Sequence, residues 1–281
     1  MQTLLNTPHE IIQQNILGAA AKARTRILNI LVLGMMAGSF IAMGAQSSSL
    51  AVHNISNIGL ARTLAGCIFP VGLMMIVFVG GELFTGDCMM SMAWMQRKIH
   101  FADMLRTLVL VYVSNFVGAA LIAFLVAHSG QYDYSSGALG AYTIKVAYGK
   151  VHLSFANALV SGILCNILVC VAVLMAAAAK DIAGKVLAIF FPILAFVVSG
   201  FEHCVANMYY IPAGIFASKN AAYAAKALEL YNIDSTQLSS LNWGSFAISN
   251  LIPVTIGNII GGALLVGGAC FYLHGKALHE S

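Results

Sequence analysis

Two polar interruptions of otherwise apolar segments carry the side chains best suited to chemistry. The first reads GGELFTGD at residues 80–87 and contains Thr85, and the second reads SGFEHCVAN at residues 199–207 and contains His203. Hydroxyl groups both donate and accept hydrogen bonds, and an unperturbed imidazole exchanges its proton near neutral pH. An ionisable side chain within a segment apolar enough to cross a membrane indicates a functional site by default. The two interruptions, with the ionisable His203 in one of them, therefore predict a functional site.

The polar residues of these two segments also have structural interpretations. Glu82 and Glu202 hold matched places, and we expect their carboxylates to accept hydrogen bonds from backbone N–H groups that an interrupted helix leaves free. Asp87 is expected to cap the helix that resumes after the first interruption. His203 could equally be a hydrogen-bonded core histidine, and Asn207 shares its helix face if a helix resumes there.

The composition of the chain indicates a membrane protein. Of its 281 residues, 60% are hydrophobic and 9% are charged, with a mean hydropathy of +0.87, whereas a soluble domain has about 25% charged residues. A helix that crosses a bilayer needs about 20 mainly apolar residues. Six such segments are predicted, at residues 27–45, 64–90, 105–127, 155–179, 186–216 and 246–273. We therefore expect an all-α membrane protein with six transmembrane helices.

The second and fifth of these spans contain the two polar interruptions. A helix that breaks inside a bilayer is tolerated only where the break is buried in protein or lines a wet cavity. One break in the middle span of each half of the chain is typical of an inverted repeat, with the transport site between the repeats. Asn115 and Asn166 lie mid-span in spans three and four, where they could simply form hydrogen bonds between helices. The pattern predicts an inverted 3+3 repeat with broken helices two and five.

The ends of the chain and its charges predict its orientation. Residues 7–26 have the pattern of an amphipathic helix with too few apolar positions to cross a bilayer, so we expect it to lie at the surface. With the N-terminus inside, nine Lys and Arg residues fall on the inner side and five on the outer side, which favours cytoplasmic N- and C-termini. The predicted organisation is a cytoplasmic N-terminal helix at 1–26, a six-span domain at 27–273 and a short cytoplasmic tail at 274–281.

Other functional classes fit this sequence poorly. The basic residues are scattered rather than gathered into a stripe, which argues against nucleic-acid binding. An intramembrane enzyme would need a nucleophile–base pair or a metal set at depth, yet His203 is the only histidine deep in a span. A water channel would need an Asn-Pro-Ala pair, and an ammonium channel usually needs two facing pore histidines. A receptor or scaffold would not need broken spans.

Several long motifs, in order along nearly the whole chain, resemble the formate–nitrite transporter family. They are GELFTG at residues 81–86, SNFVG at 114–118, CNILVC at 165–170, SGFEHCVANM at 199–208 and NLIPVTIGN at 250–258. The resemblance implies a homopentamer of aquaporin-like protomers in the cell (inner) membrane, with one pore in each protomer.

The resemblance also implies roles for individual residues. Thr85 would face the pore from the break in span two, and His203 would be the central pore histidine. The full set for the substrate pore is His203, Thr85, Asn166 (assisting the other two), Lys150 (drawing anions in from the outer side) and Asn207 (added by its position). The outer constriction would comprise Phe69 and Phe196, and the inner one Leu73, Leu83 and Phe84.

The residues and the resemblance together predict a membrane channel or transporter, not an enzyme, for a small monovalent anion of a weak acid. Formate is our first expectation, with hydrosulfide and nitrite as alternatives from the same family. A bare anion loses its hydration at the apolar constrictions, so we expect a proton shared through His203 to let it pass as the neutral acid or as an anion–proton pair. The expected partners are the anion, protons, membrane lipid and the other protomers, with no metal or cofactor. The N-terminal helix could gate the inner mouth according to pH.

Overall fold

The computed structural model describes residues 5–275. Within this range, six helices are long and apolar enough to cross a membrane: Ile27–Val52, Ile58–Val79, Phe101–Ala127, Phe155–Ala178, Ile182–Ser199 and Trp243–Gly275. The six predicted spans are therefore confirmed, and we number them in this order. The predicted tail at 274–281 falls almost entirely outside the described residues.

The bounds of spans two and five differ from those predicted. Span two begins six residues earlier and ends at Val79, and span five ends at Ser199 rather than near residue 216. Gly80 ends span two with φ +97°, and Gly200 ends span five in the left-handed conformation with φ +70°. Both dihedrals are easily adopted only by glycine, so the sequence stops each helix at a defined residue.

Each stop is followed by a short non-helical segment and then by a new helix. Residues 80–83 lead into the helix Phe84–Asp87, which continues as short helical turns to Met95. Residues 200–203 lead into the helix Cys204–Ser218. The polar interruptions read from the sequence are thus segments in which the backbone leaves the helix and then re-enters it.

Spans one and three pack together at very short range, as do spans four and six. A Cβ atom added to Gly38 would lie 2.0 Å from the carbonyl oxygen of Asn115, and one added to Gly257 would lie 2.2 Å from that of Leu159. Real Cβ atoms do not approach so closely. Small residues let helices approach in lipid, where apolar burial gives little drive for association, so these glycines position the middle of spans three and six.

The connections contain further helices that the sequence analysis did not predict. The helix Ala138–Val151 lies between spans three and four and carries Lys150 at its end. The helices Ala221–Tyr231 and Ser235–Ser239 precede span six. Span six itself alternates α-helix with π-helical turns at Phe246–Leu251, Ile260–Val266 and Phe271–Gly275.

The predicted N-terminal helix forms over Pro8–Lys22, with a capping box between Thr7 and Glu10. We expected it to lie at the membrane surface, but Ile12 and Ile16 are 2% and 0% exposed and pack in one cluster with methionines of the segment after the first break. Burial of its apolar face against protein rather than lipid accounts for the difference. The helix is thereby fixed against the bundle.

Candidate functional site

The side chains of Thr85 and His203 meet directly. The Thr85 Oγ1 and His203 Nε2 atoms are 2.9 Å apart, and the two residues are 0% and 3% exposed. Thr85 lies in the first turn of the helix Phe84–Asp87, and His203 is the last residue before the helix Cys204–Ser218. The two breaks therefore meet at these two side chains.

The second nitrogen of His203 fixes its tautomer. The backbone N–H of Ala206 donates to Nδ1 at 3.1 Å, so the imidazole caps the helix Cys204–Ser218. An atom that accepts a hydrogen bond carries no proton, and neutral imidazole has its proton on the other nitrogen. Nε2–H therefore donates to the Thr85 hydroxyl oxygen. Among the described residues no acceptor pairs with the hydroxyl hydrogen of Thr85, so it can donate to a ligand.

Asn115 of span three holds the first break. Its Nδ2 donates to the carbonyl oxygens of Gly34 and Glu82, each at 2.8 Å, and its Oδ1 accepts from the Phe84 N–H at 3.0 Å. One side chain thus satisfies a donor and an acceptor of the broken backbone and ties both to span one. Buried backbone groups need such partners.

Asn258 of span six holds the second break in the same way. Its Nδ2 donates to the carbonyl oxygens of Gly162 at 2.7 Å and Glu202 at 3.0 Å, and its Oδ1 accepts from the Cys204 N–H at 2.9 Å. These three contacts match those of Asn115 atom for atom, with span four in place of span one. The contact of Asn115 with Gly34 confirms the hydrogen bonding between helices expected of it. That each asparagine holds a break did not emerge from the sequence, although both lie in motifs that carried the family resemblance.

Asn166 lies behind Thr85 rather than beside its hydroxyl. Its Nδ2 donates to the carbonyl oxygen of Thr85 at 3.1 Å and to that of Asn258 at 2.6 Å. The amide is 0% exposed and absent from the walls of both cavities described below. Asn166 therefore positions the Thr85 backbone and joins it to span six. This is the hydrogen bonding between helices that its mid-span position predicts, whereas the role in assisting Thr85 and His203 that the resemblance implies stays a prediction.

The Glu202 carboxylate pairs with side chains and not with freed backbone N–H groups as predicted. Lys150 Nζ donates to Glu202 Oε1 at 2.8 Å, and Asn207 Nδ2 donates to Oε2 at 2.6 Å. Asn250 donates to Oε2 at 3.4 Å and accepts from Asn207 at 2.7 Å. The Lys150 ammonium also lies 5.3 Å from the centre of the Tyr210 ring. The carboxylate binds the lysine and two asparagines because Asn258 already satisfies the backbone of the break.

The Glu82 carboxylate pairs with a lysine as well, which again differs from the prediction. Lys22, at the end of the N-terminal helix, forms ion pairs with Glu82 and Asp87. Asp87 ends the short helix Phe84–Asp87 instead of capping its start, which corrects its expected role. Burial lowers the pKa of Lys22, but Asp87 and Glu82 outweigh that effect, so the pKa is raised above its usual value and Lys22 stays charged. The sequence signalled Lys22 only as one of several inner basic residues.

Two cavities approach the Thr85–His203 pair from opposite ends of the bundle. The histidine-side cavity, of about 260 Å³, has His203 in its wall and includes Ser49 near the end of span one. The helix-side cavity, of about 610 Å³, is lined by the N-terminal helix and by Leu33 near the start of span one. Leu33 and Ser49 are separated by about 24 Å along the helix at 1.5 Å per residue. The site therefore lies between two separate recesses.

Two aromatic rings line the deep end of the histidine-side cavity, next to His203. Phe69 and Phe196 meet edge to face with their centroids 5.4 Å apart, and the Phe196 ring lies 6.0 Å from that of His203. Both phenylalanines are in the cavity wall and under 5% exposed. A hydrated ion that passes between them toward His203 must give up water.

Of the three residues predicted to form the inner constriction, two line the helix-side cavity and one does not. Leu73 and Leu83 line the helix-side cavity and are 3% and 5% exposed. Phe84 does not line it, because its ring packs edge to face on Tyr112 of span three at 4.8 Å. Phe84 is therefore part of the packing that holds the break, together with its N–H bond to Asn115.

Comparison with known proteins decides the family. The profile of the formate/nitrite transporter family matches residues 9–272. The chain belongs to this family. It is 36% identical to the formate channel FocA of Escherichia coli strain K12 over 252 residues, covering 88% of this chain and 86% of FocA. It is 38% identical to the uncharacterized transporter YrhG of Bacillus subtilis strain 168 over 272 residues, covering 96% and 94% of the two chains.

A solved structure shows the same fold. A pentameric formate channel with formate bound superimposes with a TM-score of 0.78 at 31% identity, covering 89% of this chain and 98% of that one. The resemblance read from the motifs is thus confirmed. This chain is an all-α integral membrane protein of a family of channels and transporters, and it is not an enzyme.

Proposed function

We propose that this protein conducts a small monovalent anion of a weak acid, formate first, through each protomer. The observation that carries the proposal is the Thr85–His203 contact between two cavities at opposite ends of the bundle. The route runs from the histidine-side cavity past the phenylalanine pair to Thr85 and His203. It then passes Leu73 and Leu83 into the helix-side cavity.

In this proposal the histidine-side cavity faces outward and both termini are cytoplasmic. The distribution of Lys and Arg between the loops supports that orientation. The N-terminal helix, with Lys22 on Glu82 and Asp87, would then close the inner mouth. The same helix contacts the segment after the first break, so its displacement would change the inner constriction.

The matched roles of Asn115 and Asn258 support an inverted repeat of three spans. Each asparagine bonds the carbonyl before a break, the N–H after it and a glycine carbonyl of a neighbouring span. Two breaks held by equivalent contacts are the arrangement found where transporter repeats meet at a binding site. We further propose that five such protomers assemble, as in the pentameric formate channel that this chain resembles.

The hydrogen-bond directions suggest how the anion is held and how its charge is lost. The Thr85 hydroxyl hydrogen donates to the anion while Nε2–H of His203 supports the hydroxyl oxygen. A proton added to His203 must go to Nδ1 and displace the Ala206 N–H, a loss of about 1 kcal/mol for a helix cap. Protonated His203 then donates its Nε2 proton to the Thr85 oxygen while the Thr85 hydroxyl hydrogen moves to the anion. His203 is left with its proton on Nδ1, and it returns to the starting tautomer when Nδ1 releases that proton and Nε2 takes up another. One proton crosses with one anion, and the neutral acid avoids the cost of a bare charge at the leucines.

Flux through proteoliposomes tests the function and its substrate. We expect saturable uptake of labelled formate that an inward proton gradient accelerates, with nitrite and hydrosulfide as competitors. His203→Phe keeps a buried aromatic ring but removes the proton site, so its uptake should lose the response to the gradient. His152→Phe is the matched control, because His152 is an exposed loop histidine whose Nδ1 faces the carbonyl of Tyr148.

The possible results separate the parts of the proposal. Uptake of all three anions no faster than in protein-free liposomes would refute the channel function. If nitrite or hydrosulfide is transported in preference to formate, that anion is the substrate. If His203→Phe keeps the full response to the proton gradient, proton sharing through His203 is wrong even though the channel stands.

A further inference from the structure

Arg62 is a cation in the wall of the histidine-side cavity that the sequence analysis did not single out. It lies in the second turn of span two, on the helix Ile58–Ile68, and shares the cavity with Lys150, His203 and Asn207. Among the described residues its guanidinium has no hydrogen-bond or ion-pair partner, and its side chain is exposed. A guanidinium presents five N–H donors in a fork that matches a carboxylate or another planar anion.

Packing of span two on span five directs Arg62 to the second break. A Cβ atom on Gly66, one turn after Arg62, would lie 3.1 Å from the carbonyl oxygen of Leu194, so the two helices are in close contact here. A Cβ atom on Gly200 would lie 3.5 Å from a terminal guanidinium nitrogen of Arg62. Gly200, three residues before His203 in the chain, has no side chain that would cover the Arg62 guanidinium.

The second cation of this cavity is already neutralised. Lys150 donates to Glu202 at 2.8 Å, and the two side chains are 16% and 6% exposed. Their opposite charges cancel at a distance, although the ammonium keeps hydrogens beyond the one that Glu202 accepts. The net positive charge of the histidine-side cavity therefore comes from Arg62.

The helix-side cavity offers no free cation. Lys22, the only Lys or Arg among the described residues that line it, is paired with the carboxylates of Glu82 and Asp87. Charges that line a recess with low-dielectric walls concentrate ions of opposite sign. The histidine-side mouth therefore attracts a free anion more strongly than the helix-side mouth does.

We propose that Arg62 is the residue that captures the permeant anion at the histidine-side mouth, while Lys150 only donates a hydrogen bond to it further in. The inference rests on the proposed function, because it assigns the capture step for the same anion. Capture by a free charge acts on the approach of the anion and not on its passage through the constriction. It should set the concentration for half-maximal uptake and leave the maximal rate in place.

Three variants in the full-length protein, reconstituted in proteoliposomes, test this assignment with labelled formate. Arg62→Gln removes the charge, and Arg62→Lys keeps it. Lys145→Gln is the matched control, because Lys145 is on the same side of the protein but lies over the Tyr231 ring, 4.7 Å from its centre, outside the cavity wall. Each variant is measured at low and at high salt, where screening shortens the reach of a charge.

At low salt Arg62→Gln should raise the half-saturating formate concentration about threefold, the size expected for one charge acting across roughly 6 Å of water. Its maximal rate should match the wild type, and added salt should erase the difference. Arg62→Lys and Lys145→Gln should both behave as wild type at low salt.

Other outcomes would overturn the assignment. Arg62→Gln with an unchanged half-saturating concentration at low salt would refute it, as would a fall in maximal rate alone. An equal effect of Lys145→Gln would show that any outer charge suffices. Absence of formate, nitrite and hydrosulfide uptake by the wild type would instead refute the channel function, so the two failures are distinguishable.

Discussion

Asn258 permits the sharpest test of how the second break is held. Replacement by alanine removes its three hydrogen bonds to the backbone, at Gly162, Glu202 and Cys204. The Gly162 carbonyl lies inside span four and keeps its helical partner. The Glu202 carbonyl precedes the new helix, and the Cys204 N–H belongs to its first turn, where helices leave N–H groups unpaired. Asn258→Ala therefore leaves one buried acceptor and one buried donor without partners.

The size of the loss follows from those two groups. A buried polar backbone group without a partner costs about 2 kcal/mol, so the free energy of unfolding should fall by about 4 kcal/mol. In a large domain 1 kcal/mol corresponds to roughly 2–4 °C in melting temperature. The melting temperature should accordingly fall by roughly 10 °C.

Thermal unfolding in detergent, followed by tryptophan fluorescence, measures this shift. Asn115→Ala should lower the melting temperature by a similar amount, because Asn115 makes the equivalent contacts at the first break. Asn220→Ala is the control: it removes one exposed cap, in which Oδ1 accepts from the Ala222 N–H at 2.9 Å, with an expected loss of about 1 kcal/mol.

A particular pattern of results would refute the reasoning. If Asn258→Ala and Asn115→Ala both melt within about 2 °C of the wild type, roughly the shift of a lost surface cap, the two asparagines do not hold the breaks. A large effect of one and none of the other would refute their equivalence and weaken the case for an inverted repeat.

Three further predictions concern other contacts. Lys22→Met leaves Glu82 and Asp87 facing each other without a cation, so the N-terminal helix should loosen, and limited proteolysis should cut before span one faster than in wild type. The capping hydrogen bonds lower the pKa of Glu10 below its ordinary 4.5; the cap is therefore complete above pH 4.5 and lost as the pH falls through the lowered value. Amide exchange in the first helical turn should rise there in the wild type, whereas Glu10→Gln should show no such pH step. Phe196→Ala removes one ring of the phenylalanine pair, so formate uptake should become faster and less selective against larger monocarboxylates; unchanged selectivity would contradict a constriction there.

Much of the architecture could be read from the chain itself. Long apolar runs predicted six spans because a bilayer excludes unpaired backbone polar groups, and glycines followed by polar residues located the interruptions in spans two and five. The structure places the ends of those helices at Val79 and Ser199, at the glycines that the sequence shows. Local composition suffices for such features, since each depends on residues that are neighbours in the chain.

The partners of the buried polar side chains could not be predicted from the sequence. The sequence alone predicts that Glu82 and Glu202 accept hydrogen bonds from freed backbone N–H groups, but the structure pairs them with Lys22 and Lys150. The ion pairs join residues that are 60 and 52 positions apart in the chain. A carboxylate can pair with many different donors, so the sequence does not show which donor the fold will bring to it.

The Thr85–His203 pair separates what the sequence predicts from what only the tertiary structure determines. Their places in two polar interruptions of apolar spans predict a functional site, and the resemblance to the formate–nitrite transporter family implies that both side chains face the pore. Only the tertiary structure decided that Nδ1 is occupied by the Ala206 N–H and Nε2 faces Thr85. The sequence by itself determines which segments leave the helix, because that depends on local backbone freedom and solvation. Which atoms then meet depends on how the spans pack, and glycine-mediated contact between distant helices sets that packing.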